Sequence, residues 1–219
     1  MMQLYINTGI MSFLFLLVFG IAELAYIKLN LKVEITRKGV HIASGMLCLS
    51  FPDFIQNKWL VLALTVNFFI LLTVSIKFDF LKSINKVDRK TYGSFLFPLT
   101  IFILYYTYQE VGSLVFYYLP LLIFAVSDPL GALVGKSYPI IKYTLFNQQK
   151  SLGGALAFFC SALIICFTYF YWFCILDFKT SIMLISVAVL ATLAEGLSFK
   201  GTDNITVPLT VVLVLFLML

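Results

Sequence analysis

Charge is scarce in this chain. Only 11% of its 219 residues are Asp, Glu, Lys or Arg, while 62% are hydrophobic. Soluble domains carry roughly a quarter charged residues, so an ordinary globular protein is excluded. There is one histidine, and the four cysteines (Cys48, Cys160, Cys166, Cys174) form no Cys-x-x-Cys pair. Neither a zinc site nor a disulfide framework is expected, and the thiols are read as reduced and buried. No Gly-x-x-x-x-Gly-Lys-Ser/Thr string occurs, which excludes a Walker phosphate loop. Lys and Arg are missing before the first apolar run, an arrangement unlike a cleavable signal peptide. The net charge of +5 lies between apolar runs rather than on one solvated face, so no nucleic-acid partner is expected.

What the chain has instead is long apolar runs, with a mean hydropathy of +1.03. The pattern predicts an all-α polytopic membrane protein, residues 1–219 forming a single integral membrane domain. About eight transmembrane helices are expected, near 5–27, 40–56, 59–76, 94–109, 112–135, 152–174, 181–198 and 204–219, with seven as the alternative count. Across eight spans the cations divide thirteen to two. Lys28, Lys32, Arg37, Lys38, Lys77, Lys82, Lys86, Arg89, Lys90, Lys136, Lys142, Lys150 and Lys200 fall on one side, and Lys58 and Lys179 on the other. The rule that cytoplasmic loops are rich in Lys and Arg makes the first side cytoplasmic and places both termini opposite. The short external loops favour a bacterial plasma membrane.

Ionisable groups at membrane depth mark a functional path or a paired structural charge. Four clusters qualify, all assigned to the cytoplasmic face. The first is Arg37-Lys38-Gly39-Val40-His41, with Gly45 beyond it. On a helix starting near Thr36, Arg37 and His41 share a face and Gly45 lies one turn deeper. Two cations and an imidazole suit a phosphate or an anionic headgroup; positive-inside anchoring with a packing histidine would use the same residues. The second is Asp88-Arg89-Lys90, read as a solvated loop.

The third runs from Ser127 to Lys136. Asp128 followed by Pro129 is an N-cap and first-turn pair, which predicts that one helix stops and another begins there. Gly131 and Gly135, four apart, allow a backbone or a phosphate to come close. Lys150-Ser151-Leu152-Gly153-Gly154 then opens the sixth span. Lys, Ser and paired glycines at a helix start can cradle phosphate through N–H groups, the helix dipole and an ammonium. The fourth cluster is Glu195 with Asp203-Asn204. With Asp128 it makes three carboxylates at one face, the hard oxygen ligands that suit Mg²⁺.

In this order the strings resemble the polyprenol kinase family of dolichol and phytol kinases, and the wider group that includes phosphatidate cytidylyltransferase. The matching pieces are Arg37 through Gly45, Tyr92 through Pro98, Asp128 through Lys136, Lys150 through Gly154 and Asp203 through Pro208. The resemblance implies a CTP-dependent membrane kinase acting on a long-chain isoprenoid alcohol or diacylglycerol, surrounded by membrane lipids. It also implies that Asp128 through Gly154 is the CTP-binding region. One position departs: Gly153 stands where family members often carry an acidic residue.

Joined to the chemistry of phosphoryl transfer, these residues take expected roles. Asp128, Lys150 and His41 are the catalytic candidates, with the proton acceptor either Asp128 or His41. Arg37, Lys38, Gly131, Gly135, Lys136, Ser151, Gly153, Gly154 and Asn204 are candidates for holding the nucleotide phosphates. Asp128, Glu195 and Asp203 are candidates for Mg²⁺. A cytidylyltransferase acting on a lipid phosphate, or a transporter with broken helices, are the competing readings.

Overall fold

The computed structural model describes residues 2–86, 91–146, 148–173 and 177–219. The Asp88-Arg89-Lys90 cluster and Cys174 lie outside them. A helix forms at every one of the eight expected positions. The order is α1 (Met2–Lys28), α2 (Val33–Cys48), α3 (Phe51–Phe54), α4 (Lys58–Lys77), α5 (Lys82–Asn85), α6 (Gly93–Val111) and α7 (Val115–Leu122). A π-helical segment (Ile123–Ser127) leads into α8 (Asp128–Ser137), and then come β1 (Lys142–Leu145), β2 (Gln148–Ser151), α9 (Leu152–Phe173), α10 (Phe178–Leu197) and α11 (Asp203–Met218).

Five of these elements are long and apolar enough to cross a membrane: α1, α4, the continuous Val115–Ser137 rod, α9 and α10. Three fall short for readable reasons. α2 carries Glu34, Arg37 and Lys38 in its first two turns. α6 ends in Tyr105, Tyr106, Tyr108, Gln109 and Glu110. α11 has 16 residues. The protein is thus all-α and polytopic, with one small hairpin among the described residues. Expected span boundaries moved most at the second helix, which starts at Val33 instead of residue 40. The helix start expected near Thr36 lies three residues earlier, and the basic cluster sits on the helix as expected.

The rod Val115–Ser137 is the centre of the bundle. More than half of its most apolar stretch is buried, against a third or less in the other four spans. α9, α2 and α11 pack on it, α10 packs on α9 and α11, and α4 lies against α6. α1 covers α2 from outside and presents Phe13, Leu16, Leu17 and Ile21 outward, a lipid-facing surface. Cys48 and Cys166 are buried as expected; Cys160 is exposed on α9.

The expected helix break at Asp128-Pro129 does not occur. Ser127 and Asp128 keep right-handed helical geometry and the chain stays helical through Pro129. The Pro ring would clash with the carbonyl four residues back, and Pro has no N–H to give. The widened π turn immediately before Asp128 absorbs both problems. It also leaves a carbonyl over: in the five-residue register Phe124 would accept from residue 129, which is proline.

Two other local devices position the site. Gly45 lets α2 close on the π segment, since a Cβ at Gly45 would stand 2.4 Å from the Ala125 Cβ. Gly131, Gly135 and Gly154 do the same between α8 and α9, where a Cβ at Gly154 would lie 2.8 Å from the Gly131 carbonyl oxygen and 3.1 Å from the Gly135 Cα. The connection 136–151 is more than a loop. It folds back as an antiparallel hairpin with Lys142 opposite Ser151 and Leu145 opposite Gln148.

Candidate functional site

The Lys38 Nζ lies 2.7 Å from an Asp128 carboxylate oxygen, and neither side chain is more than 8% exposed. Gly45 causes this meeting by bringing α2 onto the π segment seven residues beyond Lys38. One turn further along α2, His41 Nε2 is 3.8 Å from the same carboxylate oxygen and 2.9 Å from the Phe124 carbonyl oxygen left over by the π turn. A carbonyl only accepts, so Nε2 carries the proton there, and in the neutral ring Nδ1 has the lone pair. The imidazole is fixed edge-on between Phe97 and Phe124, at 5.1 and 4.5 Å between ring centres.

Arg37 and Lys136 converge on one partner, Glu34, at 2.9 and 3.2 Å. Lys136 is largely exposed at the end of α8. On the hairpin, Lys150 bonds Glu195 twice, at the carboxylate (2.8 Å) and at the main-chain carbonyl. Tyr143, beside the same carboxylate, has its phenol pushed above its ordinary range by burial and then by the Glu195 charge. Asp203 lies within electrostatic reach of Asp128, Lys38, Lys150 and Glu195, which draws the expected residues of three clusters into one neighbourhood.

Asn204 is the tie between helices. Its Nδ2 donates to the Gly93 carbonyl at 2.8 Å, and its own carbonyl accepts from Thr100 Oγ1 at 2.7 Å. Gly201 sits at φ +88°, where a Cβ would be 2.5 Å from the Gly93 nitrogen, so the loop before α11 presses on the start of α6. Together Arg37, Lys38, His41, Thr91, Gly93, Gln148, Gly201, Asp203 and Asn204 line a polar pocket.

The expected phosphate cradle takes a different form. Gly131, Gly135 and Gly154 face one another across α8 and α9, and a Cβ on Gly153 would strike the Tyr138 carbonyl oxygen at 2.5 Å. Ser151 Oγ donates to the Gly135 carbonyl and accepts from the Gly154 N–H. These residues hold helices together in this structure. Of the three carboxylates expected to hold Mg²⁺, two are already paired. Asp128 and Glu195 each close on an ammonium, and among the described residues no three His, Cys, Asp or Glu side chains gather as a metal site. Asp203 alone of the three makes no ion pair among the described residues.

Thr91, Gln148, Gly201 and the Phe124 carbonyl were not anticipated. Gln148 sits on a hairpin with no apolar alternation to announce it. The Phe124 carbonyl is a consequence of Pro129 five residues on, a signal present in the sequence but read as a helix break.

The polar pocket has an apolar neighbour. A cleft bounded by Phe15 and Phe19 of α1, Cys48 and Phe51, Leu64 and Phe68 of α4, and Phe97 and Ile101 of α6 runs alongside α2. Arg37, His41, Gly93 and Asn204 line both spaces. This defines a class: a polytopic α-helical membrane protein in which a charged pocket and an apolar cleft share a wall.

Comparison with known proteins adds one relative. The chain is similar to a protein named phytol kinase from Synechocystis sp., 29% identical over 184 residues that cover 80% of this chain and 76% of the relative. No protein-family model matches the chain, and no solved structure matches it.

Proposed function

We propose that this protein is a membrane kinase that transfers a phosphoryl group from CTP to the hydroxyl of a long-chain isoprenoid alcohol. The observation that carries this reading is the shared wall of Arg37, His41, Gly93 and Asn204 between a charged pocket and an apolar cleft. A lipid alcohol has the matching form, a greasy chain with one polar end. The likeness to phytol kinase supports the alcohol class, and the ordered motifs support CTP. The thirteen-to-two division of cations supports a reaction at the cytoplasmic face of a bacterial plasma membrane.

In the reaction the alcohol oxygen forms a bond to the γ-phosphorus, the bond to the β-γ bridging oxygen breaks, and the nucleoside diphosphate leaves. Positioning and charge neutralisation carry most of such catalysis. Arg37 and Lys38 neutralise the phosphates, with Lys38 exchanging part of its bond to Asp128 for a phosphate oxygen. The alcohol's proton goes to Asp128, or to Nδ1 of His41, whose ring is held in place by the Phe124 carbonyl. Lys150 and Glu195 anchor the hairpin that brings Gln148 to the pocket. A Mg²⁺ ion arriving on the nucleotide would add charge neutralisation, with Asp203 the carboxylate left to hold it.

The test is label transfer in detergent or liposomes with Mg²⁺, isoprenoid alcohols and diacylglycerol, and either γ-labelled CTP or γ-labelled ATP. Label moving from CTP to an isoprenoid alcohol is the expected result. Pyrophosphate release from CTP with phosphatidate, and no transfer to any alcohol, would replace the kinase reading with nucleotidyl transfer.

A further inference from the structure

Ser44 lies one turn beyond His41 on α2, lines the apolar cleft and is only 4% exposed, yet its hydroxyl has no hydrogen-bond partner. That is unusual, because a buried hydroxyl left unpaired is disfavoured by about 1–3 kcal/mol. Of the other buried polar atoms without a partner, Arg37 Nε, Ser83 Oγ, Tyr105 Oη and Ser127 Oγ, only Arg37 Nε belongs to a residue of this cleft, and that guanidinium is held by Glu34. Thr65 donates to the Leu62 carbonyl, His41 to Phe124, and Asn204 to Gly93. A helical serine commonly satisfies itself on the carbonyl four residues back, as Thr8, Ser12 and Ser186 do here; Ser44 does not.

Resting on the kinase reading, we propose that Ser44 binds the hydroxyl of the acceptor alcohol and sets the depth at which it meets the nucleotide. The arrangement fits an alcohol in three respects. The group is neutral, so it pairs with a hydroxyl without bringing charge into an apolar wall. It both donates and accepts, as an alcohol does. It lines the apolar cleft one turn from His41, which lines both the cleft and the charged pocket. A lipid phosphate placed there would bring net negative charge against Phe97, Ile101 and Leu64, which apolar surroundings oppose. The neutral Ser44 hydroxyl therefore pairs with the alcohol before transfer, and the charged product is drawn toward Arg37 and Lys38.

The experiment compares wild type, Ser44→Ala and Ser44→Thr in detergent. Thermal shifts are measured with a C20 isoprenoid alcohol and with the same hydrocarbon lacking its hydroxyl. The wild type should bind the alcohol about 3–10-fold more tightly than the hydrocarbon, the range of one net hydrogen bond. Ser44→Ala should lose that preference, and Ser44→Thr should retain part of it. Without ligand, Ser44→Ala should be at least as stable as wild type, since it removes an unpaired hydroxyl. In turnover, KM for the alcohol should rise about 3–10-fold in Ser44→Ala while KM for the nucleotide stays put. An undiminished alcohol preference in Ser44→Ala, equal wild-type binding of alcohol and hydrocarbon, or a loss of stability in the ligand-free Ala variant would each overturn the proposal. Absence of phosphoryl transfer with the alcohol preference intact would instead strike the kinase reading and leave Ser44 as an alcohol-binding residue.

Discussion

Lys38 of α2 and Asp128 of α8 form a 2.7 Å ion pair in the interior, ninety residues apart in sequence. Removing one partner of such a pair leaves an uncompensated buried charge and costs about 3–5 kcal/mol, whereas replacing both with apolar groups is often neutral. Lys38→Met alone should therefore unfold at clearly lower temperature than wild type in detergent. The double variant Lys38→Met, Asp128→Leu should recover most of the loss. Equal destabilisation by the single and double variants would show that the pair is not buried as described.

The two glycines of α2 should respond in opposite ways. Gly45 meets Ala125, so Gly45→Ala must push α2 off the π segment, and overpacking of this kind costs about 1–3 kcal/mol. The same shift separates Lys38 from Asp128, so activity should fall with stability. Gly39, with nothing within 4 Å of an added Cβ, should gain stability by about 0.5–1 kcal/mol on Gly39→Ala. Thermal unfolding of both variants is the measurement. A harmless Gly45→Ala would contradict the close approach.

Much of this architecture was legible in the sequence. All eight helical positions follow from apolar runs, and the residues singled out around His41, Asp128, Lys150, Glu195 and Asp203 do come into one neighbourhood. Pairing was not legible. Charge alone does not tell whether Asp128 faces Mg²⁺ or Lys38, nor whether Gly131 and Gly154 approach a phosphate or each other. The π turn was hidden for a similar reason, because Asp-Pro is as good a helix start as it is a tolerated interior step, and packing from α2, α9 and α11 decides between them.

Asn204→Ala should release α11 from the start of α6, since it removes the donor to the Gly93 carbonyl. The lost interhelical hydrogen bond costs about 0.5–1.5 kcal/mol. Because Asn204 lines both pocket and cleft, turnover should drop further than stability, with KM raised for nucleotide and alcohol together. A variant with wild-type KM values for both would remove Asn204 from the site.

Lys150→Ala detaches the hairpin from Glu195 and should weaken nucleotide dependence more than alcohol dependence. Glu195→Gln keeps a hydrogen-bond acceptor for Lys150 and should be milder. Nucleotide saturation curves for the two variants distinguish an anchoring hairpin from one that plays no part, for which both curves would match wild type.

Sidedness has its own test. A reporter fused after Lys142 should give a cytoplasmic signal, and a reporter fused after Lys179 an external one. The reverse pattern would place the pocket on the wrong side of the membrane for a cytosolic nucleotide.

The most direct test of the central claim is the initial rate of phosphoryl transfer from CTP to an isoprenoid alcohol by Asp128→Asn beside wild type, at equal folded protein. If Asp128, held by Lys38 and next to His41, stands at the reacting centre, the rate should fall by about a hundredfold or more while the variant still inserts and folds. An Asp128→Asn protein that turns over at the wild-type rate would contradict the assignment of this pocket as the site of transfer.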